Sequence, residues 1–486
     1  MIIKSIKIEG LFDTFNHTIN LNDEGITILL GENGIGKTAT LEVINDFFNF
    51  KFNGLIEREF EKLSLKFSNN EEYVISKVLG RLFIKKVTKV KNIWYDFTTI
   101  ERTDLDKYLN TQSETSFEEM VRAYYEKTVH SNVEKNIKSL KDKGLIDKYV
   151  GEKFIDGSRV DHWINIYERK KHQKDDGSTS ISKFSQLMTP QILDGEIHYD
   201  KEKIPSWFYK MISGVNSKLI ETQRIITIDK EANTRSTVRV CCDNLKSEFS
   251  KATYRANAVS SKLDSSFPNR LMVALRRRKV EELDEISGLL KKLDENRRLY
   301  SAVGILGDVN KNELELFKHD AKKEDNKSIL NMISLYIEDS NEKLEPYKEL
   351  YSKLELFLRL INSRLRHKKI LACRKEGLSI VSLVKNHNGI YTSDEKISIP
   401  IEKLSSGEQH EIILFFKLIF NQPDGSMVLI DEPELSLHIS WQNEFINDLR
   451  EIIKLKNLSV VIATHSPDII GSHWGLTQEL SGPSDR

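Results

Sequence analysis

The stretch LLGENGIGKTATLEVI, Leu29–Ile44, decides how the chain is read. Gly31, Gly36, Lys37 and Thr38 fit GxxxxGK[ST] without deviation, with an apolar strand pattern before them and a helical pattern after. Glycines let successive backbone N–H groups curl around phosphate oxygens without Cβ clashes, and the helix adds the positive end of its dipole. The pattern assigns Lys37 to the β- and γ-phosphates of ATP and Thr38 to a Mg²⁺ ion. Asn33 and Gly34 inside the loop, and Thr40 just beyond it, join the expected nucleotide contacts.

The second half of such a site is a buried strand ending in acid, and MVLIDEPELSLH, Met427–His438, supplies one. Asp431 sits where it can hold the magnesium, and Glu432 where it can accept a proton from an attacking water. In KLSSGEQHEIILFF, Lys403–Phe416, Ser405, Ser406 and Gly407 open an apolar helix, with Glu408 next to them. Hydroxyls and N–H groups at a helix N-terminus make a second anion site. VVIATHSP, Val460–Pro467, ends another apolar strand in Thr464 and His465, and a histidine there can reach a γ-phosphate. Two readings stay open for Phe12 and Phe15, stacking on adenine or packing in the core. The same holds for Ser436 and His438, at a dimer seam or capping a surface turn.

These motifs lie at both ends of the chain of 486 residues, so the expected fold is an α/β nucleotide-binding head split by helical insertions. Residues 1–100 form its N-terminal lobe, 101–210 a helical insertion, 211–242 a return to the head, 243–370 a helical hairpin, and 371–486 the C-terminal lobe. In the hairpin, Leu344, Tyr347, Tyr351, Leu354, Leu358, Ile361 and Leu365 alternate spacings of three and four, a coiled-coil seam. Leu283, Ile286, Leu290 and Leu293 give a weaker one. Unbroken, a helix over 325–367 would reach about 65 Å, but Pro346 opposes that. An ordinary helical bundle packed on the core is the alternative.

Hydrophobic residues make up 39% and charged residues 30% of the chain, a soluble, globular balance, and the formal net charge is zero. No global basic field marks nucleic acid. Cys241, Cys242 and Cys373 make no CxxC pair, and a reducing compartment is expected. No signal peptide or bilayer-length apolar run is read, so the expected location is cytoplasmic, with no membrane partner.

The set GENGIGKT, LSSGEQ, LIDEPELSLH and ATHSP resembles the ATP-binding-cassette ATPases, in the branch of Rad50, structural-maintenance-of-chromosomes and RecF-like proteins. The resemblance implies that ATP is shared between two heads, with Ser405, Ser406 and Gly407 acting in trans, and hence at least a homodimer. It also implies a metal- and water-contacting glutamine, for which Gln223 in IETQRIITI is the match.

Nucleic-acid-cutting members of that branch carry an acidic nuclease domain after the switch histidine; here 21 residues follow His465. The expectation is that any cutting belongs to a separate polypeptide. IETQR around Gln223, SSKLDSSFPNRL (Ser260–Leu271), LSSGEQHEIILFFKLIF (Leu404–Phe420) and HWGLTQELSGP (His473–Pro483) are similar to PtuA, the ATPase subunit of Septu anti-phage systems, also found with some retrons. Membership would imply an HNH-type nuclease partner, DNA engaged through the complex, and nucleotide control of cutting. The competing reading is a short Rad50-like DNA tether, with RRRK (Arg276–Lys279) and RLRHKK (Arg364–Lys369) facing phosphates. Solvated faces or salt bridges account for such runs equally simply.

Overall fold

A computed structural model describes residues 2–78, 81–88, 92–97, 193, 196–198, 205–221, 226–228, 234–276, 283–307, 327–385, 391–480 and 482. Gln223, residues 277–279 of the first basic run, and 101–192 of the expected helical insertion lie outside them. The chain divides into two compact units, one of Met1–Glu221, Pro423–Glu434 and Asn457–Arg486, the other of Thr222–Gln422 and Leu435–Lys456.

The first unit holds a fully parallel five-stranded sheet. Its strands are β3 (Ile26–Leu30), β9 (Ser217–Glu221), β15 (Met427–Asp431), β16 (Ser459–Ala463) and β17 (Thr477–Glu479), in the order β17-β3-β16-β15-β9. Ile26, Ile28, Leu29, Val428, Leu429, Ile430, Val461 and Ile462 are almost wholly inaccessible. Strands buried on both faces read as continuous apolar runs rather than alternating ones, as ITILL, MVLI and SVVIA do. Asp431 pairs with both Ala463 and Glu221, and Ala463 with Leu29, so β3, β9, β15 and β16 end level. Loops leaving that edge are where an open parallel sheet gathers its ligand-binding residues.

The N-terminal strands add a mostly antiparallel sheet. Its strands are β1 (Ile3–Leu11), β2 (Phe15–Asn20), β4 (Lys62–Phe67), β5 (Glu72–Val78), β6 (Arg81–Lys86), β7 (Ile93–Asp96) and β8 (Glu196–His198). In β4, KLSLKF alternates Leu63, Leu65 and Phe67 inward with exposed or half-buried neighbours. That face packs with helix α1 (Lys37–Phe48), through Leu41, Ile44 and Phe47, into one apolar cluster. Full burial of each such side chain contributes about 1.5–3 kcal/mol. Phe47, Phe52 on α2 (Phe52–Glu57), Phe97 and Phe208 on α3 (Ser206–Ser213) meet edge-on or tilted within that core.

The second unit is helical with a three-stranded antiparallel sheet, β12 (Lys368–Cys373), β13 (Gly377–Lys385) and β14 (Tyr391–Ile399). Its helices include α4 (Thr237–Leu275), α5 (Leu283–Ala302), α6 (Lys327–Leu344), α7 (Lys348–Asn362), α8 (Ser406–Ile419) and α9 (Phe445–Lys456). The helical stretch over 325–367 is divided where Pro346 opposed an unbroken helix, by a 3-10 turn at Glu345–Tyr347. Proline removes the N–H that a continuous helix needs and clashes one turn back. The antiparallel partner of α6 is α4, joined by Lys343 to Asp264 (2.7 Å) and Arg270 Nη2 to Asp339 (2.9 Å). The seam residues of α7 are core residues rather than a two-helix stripe. Leu350, Leu354, Leu356, Phe357, Leu358, Leu360 and Ile361 are all buried, and α7 packs on β12 and α8.

A charged group lies inside this core. Arg364 Nε is 2.8 Å from Glu411 on α8, Arg364 Nη2 donates to Asp448 on α9, and the guanidinium lies over Phe415. Two of the cations read as a DNA-facing run are thus internal pairs, since Lys368 donates to both oxygens of Glu408 at 3.0 Å. Among the described residues no helix is long and apolar enough to cross a membrane. None of their His, Cys, Asp and Glu side chains cluster as a metal-binding group of three or more.

Candidate functional site

The phosphate loop leaves β3 and enters α1 through two left-handed glycines, Gly34 at φ 86° and Gly36 at φ 90°. A Cβ on Gly36 would come within 2.6 Å of Leu11 Cδ2, so both conformation and space require glycine there. Nothing lies within 4 Å of a Cβ built on Gly34, and Glu32, Asn33 and Thr38 are exposed beside it. Behind the loop the buried His17 bonds through Nε2 to the carbonyl of Ile35 at 2.8 Å. A carbonyl only accepts, so Nε2 carries the proton, and Nδ1, which has no partner among the described residues, does not. Burial lowers the His17 pKa, partly offset by the Ile35 bond, and keeps the ring neutral.

Lys37 is buried to 6% exposure and donates to the carbonyls of Gly31 (2.8 Å) and Glu32 (3.1 Å). Its Nζ is 3.5 Å from His465 Nδ1. Burial lowers its pKa, opposed by the charges of Glu432, Asp431 and Glu434. Thr38 Oγ1 donates to the Asp431 carboxylate at 3.0 and 3.2 Å. Burial raises the Asp431 pKa, the Thr38 bond lowers it, and Glu432, Glu42 and Glu434 raise it further. Glu432 follows at φ 45°, a left-handed conformation that costs a non-glycine residue about 1–3 kcal/mol. Its N–H is held by Ala463 O at 2.9 Å.

Lys37, Thr38, Asp431, Glu432 and His465 therefore converge on one sheet edge within the first unit. Thr40 does not join them: it has no accessible surface, and its hydroxyl is buried in α1 without a partner among the described residues. Hard oxygen donors at Thr38 and Asp431 are the kind of set that suits Mg²⁺, and the loop offers a cation and open glycines to phosphate. Two residues escaped the motif reading, His17 and Glu434. Glu434 accepts from Thr464 Oγ1 and from the His465 N–H, both at 2.8 Å. The third acid in DEPE was its one signal in the sequence; His17 had none beyond being a histidine in a strand.

A cavity of about 510 Å³ lies beside the loop, lined by Leu11, Phe12, Ala39, Glu42, Arg58 and Glu59 among others. Phe12 is 42% exposed there, whereas Phe15 is half-buried and stacks on His17 at 5.9 Å. Arg58 pairs with Glu42 and, at 2.7 Å, with Asp46.

In the second unit, Ser405 caps α8. Its Oγ accepts from the Glu408 N–H at 3.3 Å, and Glu408 Oε2 accepts from the Ser405 N–H at 2.9 Å. Glu408 is thus engaged inside its own unit. Despite burial, the Ser405 N–H and Lys368 hold its carboxyl below the usual range. Ser405 and Ser406 are exposed, Gly407 is half-buried with open space at its Cα, and no side chain among the described residues bonds to the Ser406 or Gly407 N–H. His438 caps the short helix Ile439–Gln442, accepting from the Ser440 N–H at 3.3 Å, and Ser436 is buried.

The parallel sheet, its phosphate loop and the acidic strand beside it define a P-loop nucleotide-binding fold. The family model described as "AAA ATPase domain" matches residues 1–470, and the chain belongs to that family. Curated relatives match over shorter stretches. The dipeptide transport ATP-binding protein DppD of Bacillus subtilis is 30% identical over 26% of this chain and 36% of its own length. Protein ea59 of Escherichia phage lambda is 27% identical over 19% of this chain and 21% of its own. The retron Ec83 probable ATPase of Escherichia coli is 30% identical over 19% of each. The matches therefore span about a third or less of these relatives. Among solved structures, the Smc head domain of Pyrococcus furiosus with an extended coiled coil is 10% identical. It aligns over 96% of this chain and 91% of that one, and its TM-score of 0.30 is too low to equate the two chains.

Proposed function

We propose that the protein is an ATP-binding and ATP-hydrolysing subunit whose nucleotide state controls a separate HNH-type nuclease in an anti-phage defence complex. The observation that supports it most is the meeting of Lys37, Thr38, Asp431, Glu432 and His465 on one edge of a parallel sheet. Lys37 exchanges its loop carbonyls for the β- and γ-phosphates. Thr38 and Asp431 hold Mg²⁺, which when bound neutralises charge on the phosphate oxygens. Glu432 takes the proton of a water whose oxygen attacks the γ-phosphorus, while the bond to the bridging oxygen breaks to leave ADP and phosphate. Gln223, in this reading, orients that water and contacts the metal. Leu11, Phe12 and the cavity beside them are suited to the base, with Phe12 as the stacking face.

The exposed N-terminus of α8, with Ser405, Ser406 and Gly407, is suited to a γ-phosphate held by the phosphate loop of a second copy. ATP then joins two heads. The local similarity to a retron ATPase supports a place in a defence complex, and the resemblance of four sequence segments to PtuA is what favours the HNH partner. The experiment is ATP turnover by the purified chain, then DNA degradation when the neighbouring gene product is added. Lys37→Ala should abolish turnover and make DNA cutting indifferent to ATP; undiminished turnover by this variant would refute the reading.

A further inference from the structure

Glu434 belongs to none of the motif positions, yet both of its carboxylate oxygens are engaged at the end of the switch strand. One oxygen accepts from Thr464 Oγ1 and the other from the backbone N–H of His465, each at 2.8 Å. The Thr464 hydroxyl in turn accepts from the Ser466 N–H at 3.0 Å, so one carboxylate braces three consecutive residues. Thr464 is wholly buried and its N–H reaches Leu29 O at 3.3 Å, which ties the same point to the strand feeding the phosphate loop. The His465 ring, by contrast, has only the 3.5 Å approach to Lys37 Nζ to orient it among the described side chains.

We infer that Glu434 is a positioning residue that sets His465 over the phosphate loop through the histidine's main chain. The inference rests on the nucleotide reading above and adds a residue to it. A carboxylate has two acceptors side by side, which matches a hydroxyl and an amide N–H presented together; an aspartate is one methylene shorter. Glutamine keeps the pair of contacts: its carbonyl oxygen accepts from His465 N–H and its NH₂ donates to Thr464 Oγ1. For placing His465, what Glu434 supplies is geometry rather than charge.

The test uses the full chain with Mg·ATP and Mg·ADP. Glu434→Ala should lower kcat about 10- to 100-fold, the cost of a misplaced catalytic group, with ADP affinity within about threefold of the unchanged protein. Glu434→Gln should recover most of that loss. In a His465→Ala background, adding Glu434→Ala should cost nothing further, because the two act as one unit. Undiminished kcat in Glu434→Ala, a glutamine variant as slow as alanine, or the same loss with and without His465 would each overturn the inference. Should Glu434→Ala not fold, Thr464→Val, which removes only the hydroxyl donor, must lower kcat in the same direction, and unchanged turnover there overturns it too. Failure of the nucleotide reading is separable: the unchanged protein would then lack ATP turnover, or His465→Ala would turn over ATP at its full rate.

Discussion

Arg364 faces two buried carboxylates with one positive charge, so the group is short of one cation or holds one proton. Asp448 takes the hydrogen bond from Nη2, while Glu411 Oε1 lies 2.8 Å from Nε but off the N–H axis and has no hydrogen-bond partner among the described residues. Burial, with Asp448 and Glu408 nearby, pushes Glu411 up to about 8, against the attraction of Arg364. Burial likewise pushes Asp448 up to about 6. Glu411 therefore carries the proton at neutral pH. Raised carboxyl values favour the protonated fold: the contribution is complete below the ordinary carboxylate range and is lost as pH rises through about 6 for Asp448 and about 8 for Glu411. Unfolding by urea at pH 5, 7 and 9 should show stability falling with pH, and Glu411→Gln should flatten the upper part of that fall. Arg364→Ala leaves the buried Asp448 carboxylate without its cation and should destabilise by about 3–5 kcal/mol in the same assay. Nothing in the run RLRHKK betrayed this, because a cation's partner, 47 residues away at Glu411 or further at Asp448, is set by packing rather than by local pattern.

At the scale of elements, the phosphate loop, the acidic strand and the switch strand could be read because each is a short contiguous segment with its own periodicity and breakers. ITILL, MVLI and SVVIA are apolar without alternation, and that is the mark of strands buried on both faces. The break in the helical stretch over 325–367 could be read from Pro346 alone, since the apolar spacing of three and four persists across the 3-10 turn and carries no record of the interruption itself. That α7 is a core helix was one of the two readings its seam left open: a seam shows one buried stripe, while the surroundings that bury the other faces come from β12 and α8. His17 and Glu434 act through backbone groups, which leave no trace in residue identity at the accepting or donating end. The N-terminus of α8 separates two roles by residue. Ser405 caps the helix, so Ser405→Ala should cost about 1 kcal/mol in stability as well as any nucleotide contact. Ser406 caps nothing and is exposed, so Ser406→Arg should leave stability within about 0.5 kcal/mol while abolishing ATP-dependent pairing. Urea unfolding and size-exclusion chromatography with light scattering, with and without ATP, check the two halves of that statement.

For the molecule as a whole, the account holds that one nucleotide is gripped by two copies of the chain. Glu432→Gln keeps the side chain's shape but removes the base, so ATP should remain bound and the assembled state should accumulate. Mass measurement in ATP should show this variant shifted to the larger species, and Lys37→Ala should remain at the smaller one. The most direct test mixes two variants that are inactive alone, Lys37→Ala and Ser406→Arg. With the nucleotide shared, each mixed pair has one intact site of two, and since neither variant pairs with itself, an equal mixture should recover up to about half of the unchanged protein's ATP turnover. If each chain instead completes its own site, no mixing ratio will restore any turnover, and that result would contradict the account.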